Sequence, residues 1–134
     1  MNVTAFREID QAVLDRLHAI VGDTGVITDD YDKSPYLNDE RGYYTGATPM
    51  VVRPASTEEV SEIVRICNET RTPIVPQGGN TGLCGGATPY EHGGEILLSL
   101  TRMNKVRDID ALNYAITVEA GVILADVQTA AEEA

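Results

Sequence analysis

The sequence predicts an α+β fold that opens as an α/β-like βαβ unit, with a small mixed sheet flanked by helices. Three observations carry the prediction. A short apolar strand ends in proline at Met50-Val51-Val52-Arg53-Pro54, a helix signature begins at Ser56, and a second apolar run, Thr72-Pro73-Ile74-Val75, leads straight into a glycine loop. Strand, helix and strand occupy about 27 residues, as in a βαβ unit, whose strands are parallel and whose crossover is right-handed.

The amino-terminal part, residues 1–45, divides in two. Phe6, Ile9, Val13, Leu17, Ile20 and Val21 form a helical stripe that stops at Gly22, which reads as a helix packed on the outside of the domain. Asp29, Asp30, Asp32, Asp39 and Glu40 then stand among Tyr31, Tyr36, Tyr43 and Tyr44 without clear periodicity. Such carboxylates read as a cation site or, more often, as a solvated loop.

Residues 46–134 carry the domain. After the first strand, Ser56-Thr57-Glu58-Glu59 is a capping box, in which the serine accepts from the Glu59 N–H and the Glu59 carboxylate returns to the N–H of Ser56. Val60, Ile63, Val64 and Cys67 make the buried stripe of the helix. Arg65 and Glu69 face solvent, and Pro73 closes the helix because the residue before a proline leaves the α region. Glu95-Ile96-Leu97-Leu98-Ser99-Leu100 reads as a third strand and Thr101-Arg102-Met103-Asn104 as a turn. Strands at 106–109 and 115–119 follow, joined through 110–113, and Ile123, Leu124, Val127 and Ala131 begin another amphipathic helix.

The loop itself, Pro76-Gln77-Gly78-Gly79-Asn80-Thr81-Gly82-Leu83-Cys84-Gly85-Gly86, has five glycines in eleven positions at the carboxyl end of a strand, where open α/β sheets bind ligands. Without a Cβ the backbone can take φ > 0 and bring N–H groups against a phosphate or pyrophosphate. A bare double glycine would read as a flexible surface loop; the strand-helix-strand frame favours the phosphate. The two familiar phosphate loops are excluded. No lysine lies between Lys33 and Lys105 to complete a Walker loop, and glycines at 78, 79, 82, 85 and 86 cannot be threaded onto Gly-x-Gly-x-x-Gly.

The net charge is −11, from 21 acidic and 10 basic residues. That balance repels nucleic acid, and no basic patch interleaved with aromatics offsets it. The loop must therefore neutralise a diphosphate by N–H dipoles and a nearby helix terminus. No apolar stretch approaches about 18 residues, so no transmembrane segment is expected, and residues 1–10 lack a signal-peptide pattern. A cytoplasmic protein is the expectation, with Cys67 and Cys84 as free thiols that fit no metal spacing. The Asn2-Val3-Thr4 and Asn68-Glu69-Thr70 sequons are then chance matches. His18 reads as a surface or half-buried helical histidine, and His92, in a loop, reaches at most the edge of a bound ligand. No constellation supports nucleophilic catalysis.

The segment Pro76-Gln77-Gly78-Gly79-Asn80-Thr81-Gly82 resembles the Pro-x-Gly-Gly-x-Thr/Ser-Gly pyrophosphate loop of FAD-linked oxidases and dehydrogenases of the vanillyl-alcohol oxidase/PCMH superfamily. Met103-Asn104-Lys105-Val106 and Val118-Glu119-Ala120-Gly121-Val122 are similar to that superfamily's Leu/Met-Asn-x-Ile/Val turn and Val-Glu-Ala-Gly-Val run, so the likeness covers residues 40–134. Within the superfamily the sequence most resembles the D-2-hydroxyacid dehydrogenase branch, with its D-lactate, D-2-hydroxyglutarate and glycolate enzymes.

The resemblance implies the first subdomain of a PCMH-type FAD-binding domain. It implies FAD as cofactor, with Pro76, Gln77, Gly78, Gly79, Asn80, Thr81, Gly82 and Leu83 as the cofactor-binding residues. The activity implied is that of an FAD-dependent oxidoreductase oxidising a D-2-hydroxy acid by hydride transfer to FAD. A truncated non-catalytic remnant or interaction module, and an FAD-dependent alcohol or sugar oxidase, are the alternatives. Several oxidases of the superfamily carry a flavin-linked histidine straight after the Gly-Gly pair; Asn80 stands there, an amide cannot make that link, and FAD is expected to be non-covalent. Cys84, with no lysine or arginine near it in sequence, is expected to be a small packed residue.

Related dehydrogenases carry a run similar to Glu40-Arg41-Gly42 ahead of the first strand, where Arg41 reads as an aid to an anionic substrate or the flavin or, more often, as a structural salt bridge. In the family the groups that handle substrate belong to a later domain, so no catalytic residue and no metal ligand is assigned here. The family is also much longer, and the last helix stops at Glu132-Glu133-Ala134 without a capping residue. The chain is therefore expected to be an amino-terminal fragment, inactive alone, that meets a hydroxyacid substrate through a domain it lacks. Uncovered apolar surface near Leu124 and Val127 is expected to favour self-association.

Overall fold

A computed structural model of the protein describes residues 8–134. Phe6 of the amino-terminal stripe and the Asn2-Val3-Thr4 sequon lie outside the described residues. Helix α1 (Gln11–Val21) buries Val13, Leu14, Leu17 and Val21, the spacing of a helix with one apolar face, and ends where Gly22 takes φ 69. Strand β1 (Val26–Ile27) follows, too short to leave a periodic signal in the sequence. It pairs antiparallel with β2 (Val51–Val52).

Helix α3 (Thr57–Thr70) starts at the expected capping residue, for Ser56 Oγ accepts from the Glu59 N–H at 3.2 Å. The reciprocal bond is shifted by one residue: the Glu59 carboxylate accepts from the N–H of Ala55 at 2.7 Å, not from that of Ser56. Its buried stripe also differs from the expected one. Ile63, Ile66 and Cys67 are buried, whereas Val64 is 45% exposed. At 3.6 residues per turn Val64 lies roughly 100° round from Ile63, while Ile66 falls on the other flank of the same face. The helix closes at Arg71, in the left-handed region at φ 55, with the Thr72 N–H returning to the Cys67 carbonyl.

Strands β3 (Ile74–Gln77) and β4 (Ile96–Ser99) complete a sheet of order β1-β2-β4-β3. β2 and β3 belong to one sheet with the same direction, as a βαβ unit requires, but β4 lies between them and is parallel to both. Every residue of β4 is buried, the pattern of a central parallel strand. Pro76, which has no N–H to give to a ladder, sits on the edge strand β3.

Helices α1 and α3 cover one face of this sheet, and Arg16 of α1 reaches Glu69 of α3 at 3.0 Å. Leu17, Ile63 and Ile96 are fully buried in that layer with Val52 and Leu98. Each large side chain there contributes roughly 1.5–3 kcal/mol by leaving water.

The opposite face, with Val51, Val75, Leu97 and Gln77, is covered by residues 30–48 and 84–95. Helix α2 (Asp30–Lys33) opens this cover, capped by the Asp29 carboxylate, which accepts from the Tyr31 N–H at 2.9 Å. Lys33 Nζ donates to the Thr48 carbonyl at 3.0 Å, and Thr48 Oγ1 donates to the Glu95 carbonyl at 2.7 Å. The Asp39 carboxylate accepts from the N–H groups of Tyr44, at 2.7 Å, and Arg41, at 3.3 Å. Arg41 itself makes no ion pair among the described residues, which corrects the expected salt bridge: its side chain points to solvent from the tip of the turn.

A separate antiparallel hairpin, β5 (Val106–Asp110) and β6 (Ala115–Val118), leads into α4 (Leu124–Glu132). No residue of α4 is buried. The hairpin root is tied to the β4 turn, because Gly121 N–H donates to the Met103 carbonyl and Glu119 N–H to the Lys105 carbonyl, both at 2.9 Å.

Candidate functional site

The glycine loop leaves the carboxyl end of β3, as its sequence position requires. Among the described residues, none of the main-chain N–H groups of residues 78–84 donates to a protein acceptor. A run of unpaired N–H groups on one short loop is the feature from which anion-binding concavities are built.

The glycines serve that run differently from the expected route. Gly78, Gly79, Gly82 and Gly86 do not use φ > 0; within the loop only Asn80, at 55, and Gly85, at 72, do. Among the described residues, a Cβ added at Gly78, Gly79 or Gly82 would meet no atom within 4 Å. Neither backbone strain nor internal crowding demands glycine there, so what the missing side chains leave bare is main chain facing open space. Gly85 is the exception, since its positive φ coincides with close approach to the Tyr44 ring.

The open space is a cleft of about 350 Å³. One wall is Tyr36 with Gln77, Gly78, Gly79 and Asn80; the other is Thr101, Asn104, Gly121 and the start of α4 at Ile123 and Asp126. Of the residues the sequence singled out, Gln77 to Asn80 line the cleft. Pro76 stands just before it on β3, and Thr81, Gly82 and Leu83 continue the loop outside the lining. Tyr36 was missed because nothing periodic marks it. Asn104 and Gly121 belong to the two motifs quoted above as frame, which was the signal available for them.

Gln77 is 2% exposed and its Nε2 donates to the carbonyls of Tyr36 and Ala87, both at 2.9 Å. It therefore supports the wall from behind. Gly121 is required by packing, for a Cβ there would overlap the carbonyl of Leu100. The facing wall is further pinned by Glu119, whose carboxylate accepts from the Lys105 N–H at 3.0 Å and pairs with Arg107 at 3.3 Å. The Lys105 N–H first, and then Arg107, hold the Glu119 carboxyl below the usual range.

Among the described residues no lysine or arginine lines the cleft, and Asp126 is its one charged residue. A bound diphosphate would meet N–H dipoles rather than cations, from the loop and from the amino-terminal turn of α4.

The remaining candidates lie elsewhere. Cys84 is exposed, not the small packed residue expected, because the loop there runs along a second cleft of about 650 Å³ beside Tyr43, Tyr44 and Tyr90. His92 is stacked on Tyr90, with its Nδ1 accepting from the Gly94 N–H. His18 is half-buried on α1, 2.7 Å from Asp23. Cys67 is a buried free thiol whose pKa is raised by burial. Among the described residues no helix is long and apolar enough to cross a membrane.

The family model described as "FAD binding domain" matches residues 48–134. A protein of Oryza sativa subsp. indica named "Probable D-2-hydroxyglutarate dehydrogenase, mitochondrial" is 40% identical over 114 residues, which are 85% of this chain and 20% of the relative. D-lactate dehydrogenase of Anaerostipes hadrus is 39% identical over 109 residues, 81% of this chain and 22% of that one. The chain thus spans about a fifth of the length of the curated relatives it matches. Among solved structures, p-cresol methylhydroxylase with substrate bound superposes with a TM-score of 0.77 at 28% identity, over 92% of this chain and 24% of that one.

Proposed function

The chain belongs to the FAD binding domain family, and on that premise we propose that the cleft between the glycine loop and the β4 turn holds the FAD pyrophosphate of an enzyme that oxidises a D-2-hydroxy acid. The observation that carries the reading is the unpaired N–H groups of Gly78, Gly79 and Asn80 along the cleft, where the Cβ positions of the two glycines are empty. That arrangement fits a diphosphate without a cation. When bound, FAD supplies the acceptor for the hydride leaving C2 of the hydroxy acid, which becomes a 2-oxo acid as its hydroxyl proton is released.

The chain's own residues bind and orient. Gly78, Gly79 and Asn80 offer N–H groups to the phosphate oxygens, with Pro76, Gln77, Thr81, Gly82 and Leu83 completing the cofactor-binding stretch. Asn104 and Gly121 close the other side, and Asp126, an acceptor only, faces hydroxyl or N–H groups rather than phosphate. The substrate class follows the relatives' names, and no residue of this chain is given a role toward the substrate.

The same proposal divides the chain into an amino-terminal segment, 1–45, and a cofactor-binding part, 46–134. It places the protein in the cytoplasm, where the two free thiols stay reduced; cell fractionation tests this against the mitochondrial alternative carried by the names of several relatives. Exposed Leu112, Tyr114, Ile123 and Leu124 support self-association of the 134-residue chain, which a concentration series by sedimentation would read.

The decisive test is a titration of FAD into the purified chain, followed by quenching of flavin fluorescence. Saturable binding that Gly79→Val removes supports the assignment. Binding unaffected by Gly79→Val would move the cofactor away from the glycine loop.

A further inference from the structure

The residues matched by the family model begin at 48, yet the glycine loop is held from outside that range. Asn80 Nδ2 donates to the Asn38 carbonyl at 2.8 Å, across 42 residues of chain. Asn38 is itself fixed. Its Oδ1 accepts from Thr45 Oγ1 at 2.8 Å, its Nδ2 donates to the Ser34 carbonyl at 3.2 Å, and Asn38 and Thr45 form an antiparallel bridge. The turn is closed above by Gly46 N–H on the Leu37 carbonyl at 2.7 Å and stabilised within by the Asp39 carboxylate. Since no N–H of residues 78–84 is bonded within the described chain, the Asn80 side chain is the one hydrogen bond in hand that anchors the middle of the loop.

Position 80 makes two demands at once. The backbone lies at φ 55, which asparagine tolerates and most residues resist. The side chain must also present a donor to a carbonyl. Glycine meets the first demand and not the second; aspartate keeps the shape and tolerates the φ but offers only acceptors.

We propose that Asn80 is a positioning residue for the cofactor, and that residues 34–46 belong to the cofactor site. By latching the glycine loop to the Asn38 carbonyl, Asn80 holds the unpaired N–H groups in their ligand-facing arrangement before the ligand arrives, so that binding need not order the loop. The inference rests on the proposed FAD cleft.

The test uses the 134-residue chain as wild type, Asn80→Gly and Asn80→Asp. FAD affinity is read by fluorescence quenching, the unfolding midpoint in urea without FAD by circular dichroism, and the exchange of the Gly46 and Tyr44 amides by hydrogen exchange. Both variants are expected to bind FAD about tenfold more weakly or worse, the equivalent of one lost hydrogen bond. The urea midpoint should stay unchanged and the Gly46 amide should exchange faster. Wild-type affinity in Asn80→Gly and Asn80→Asp overturns the inference and leaves the FAD cleft standing, as does a loss of affinity that only tracks a lowered midpoint. Failure of the wild-type chain to bind FAD overturns the cleft and the inference together.

Discussion

Gln77 Nε2 donates to the Tyr36 carbonyl over 2.9 Å, joining the last residue of β3 to a residue 41 positions earlier, and both residues line the cleft. The same nitrogen also serves the Ala87 carbonyl, so one buried amide closes the cover of the sheet on two sides. Leucine at 77 would keep much of the volume and leave two acceptors without their donor. Gln77→Leu is expected to cost about 1–3 kcal/mol in urea unfolding, and to weaken FAD binding because the Tyr36 wall is released. An unchanged midpoint would place the support elsewhere.

Two glycines of the cleft should respond in opposite ways. Gly79 has nothing within 4 Å of its Cβ position, so Gly79→Val should alter stability by no more than about 1 kcal/mol while abolishing flavin binding. Gly121 faces the Leu100 carbonyl, and Gly121→Ala forces backbone apart at an expected cost of about 1–3 kcal/mol or more. Parallel urea melts and FAD titrations of the two variants separate ligand space from packing space.

Acid should loosen the 34–46 turn. The Asp39 carboxyl lies below its ordinary 3.8, chiefly because the Tyr44 N–H bonds to it. A carboxyl lowered in the folded state stabilises the fold above its unfolded value, and that contribution is lost as pH falls through the folded value. Stability from this turn is therefore present at neutral pH and declines below pH 3.8. Glu119, lowered from 4.5 by the Lys105 N–H and then Arg107, contributes in the same direction. Asp39→Asn should be less stable than wild type at pH 7, and the gap should narrow in acid. A constant gap across pH 7 to 3 would show that the charge is irrelevant.

FAD should be released intact by denaturation. The residue after the Gly-Gly pair is Asn80, whose amide is not nucleophilic, and Cys84 lines the other cleft rather than this one. Acid precipitation of flavin-loaded protein should leave the yellow colour in the supernatant. Colour in the washed pellet would direct attention to Cys84.

The strand-helix-strand frame, the Ser56 cap, the glycine loop and its residues Gln77 to Asn80 were legible in the sequence, because each is governed by neighbours a few residues apart. Periodicity, capping and glycine content act at that range, and the structure places the elements accordingly. Tertiary pairing decided the rest. The insertion of β4 between β2 and β3, the burial of Ile66 in place of Val64, and the exposure of Cys84 depend on which surfaces meet. The latches from Gln77 to Tyr36 and from Asn80 to Asn38 span 41 and 42 residues. A side-chain amide bonding to a distant main-chain carbonyl leaves no mark on the carbonyl's residue type, since every residue carries one. That is why Tyr36 and Asn38 carried no cofactor signal until the fold brought their carbonyls against Gln77 and Asn80.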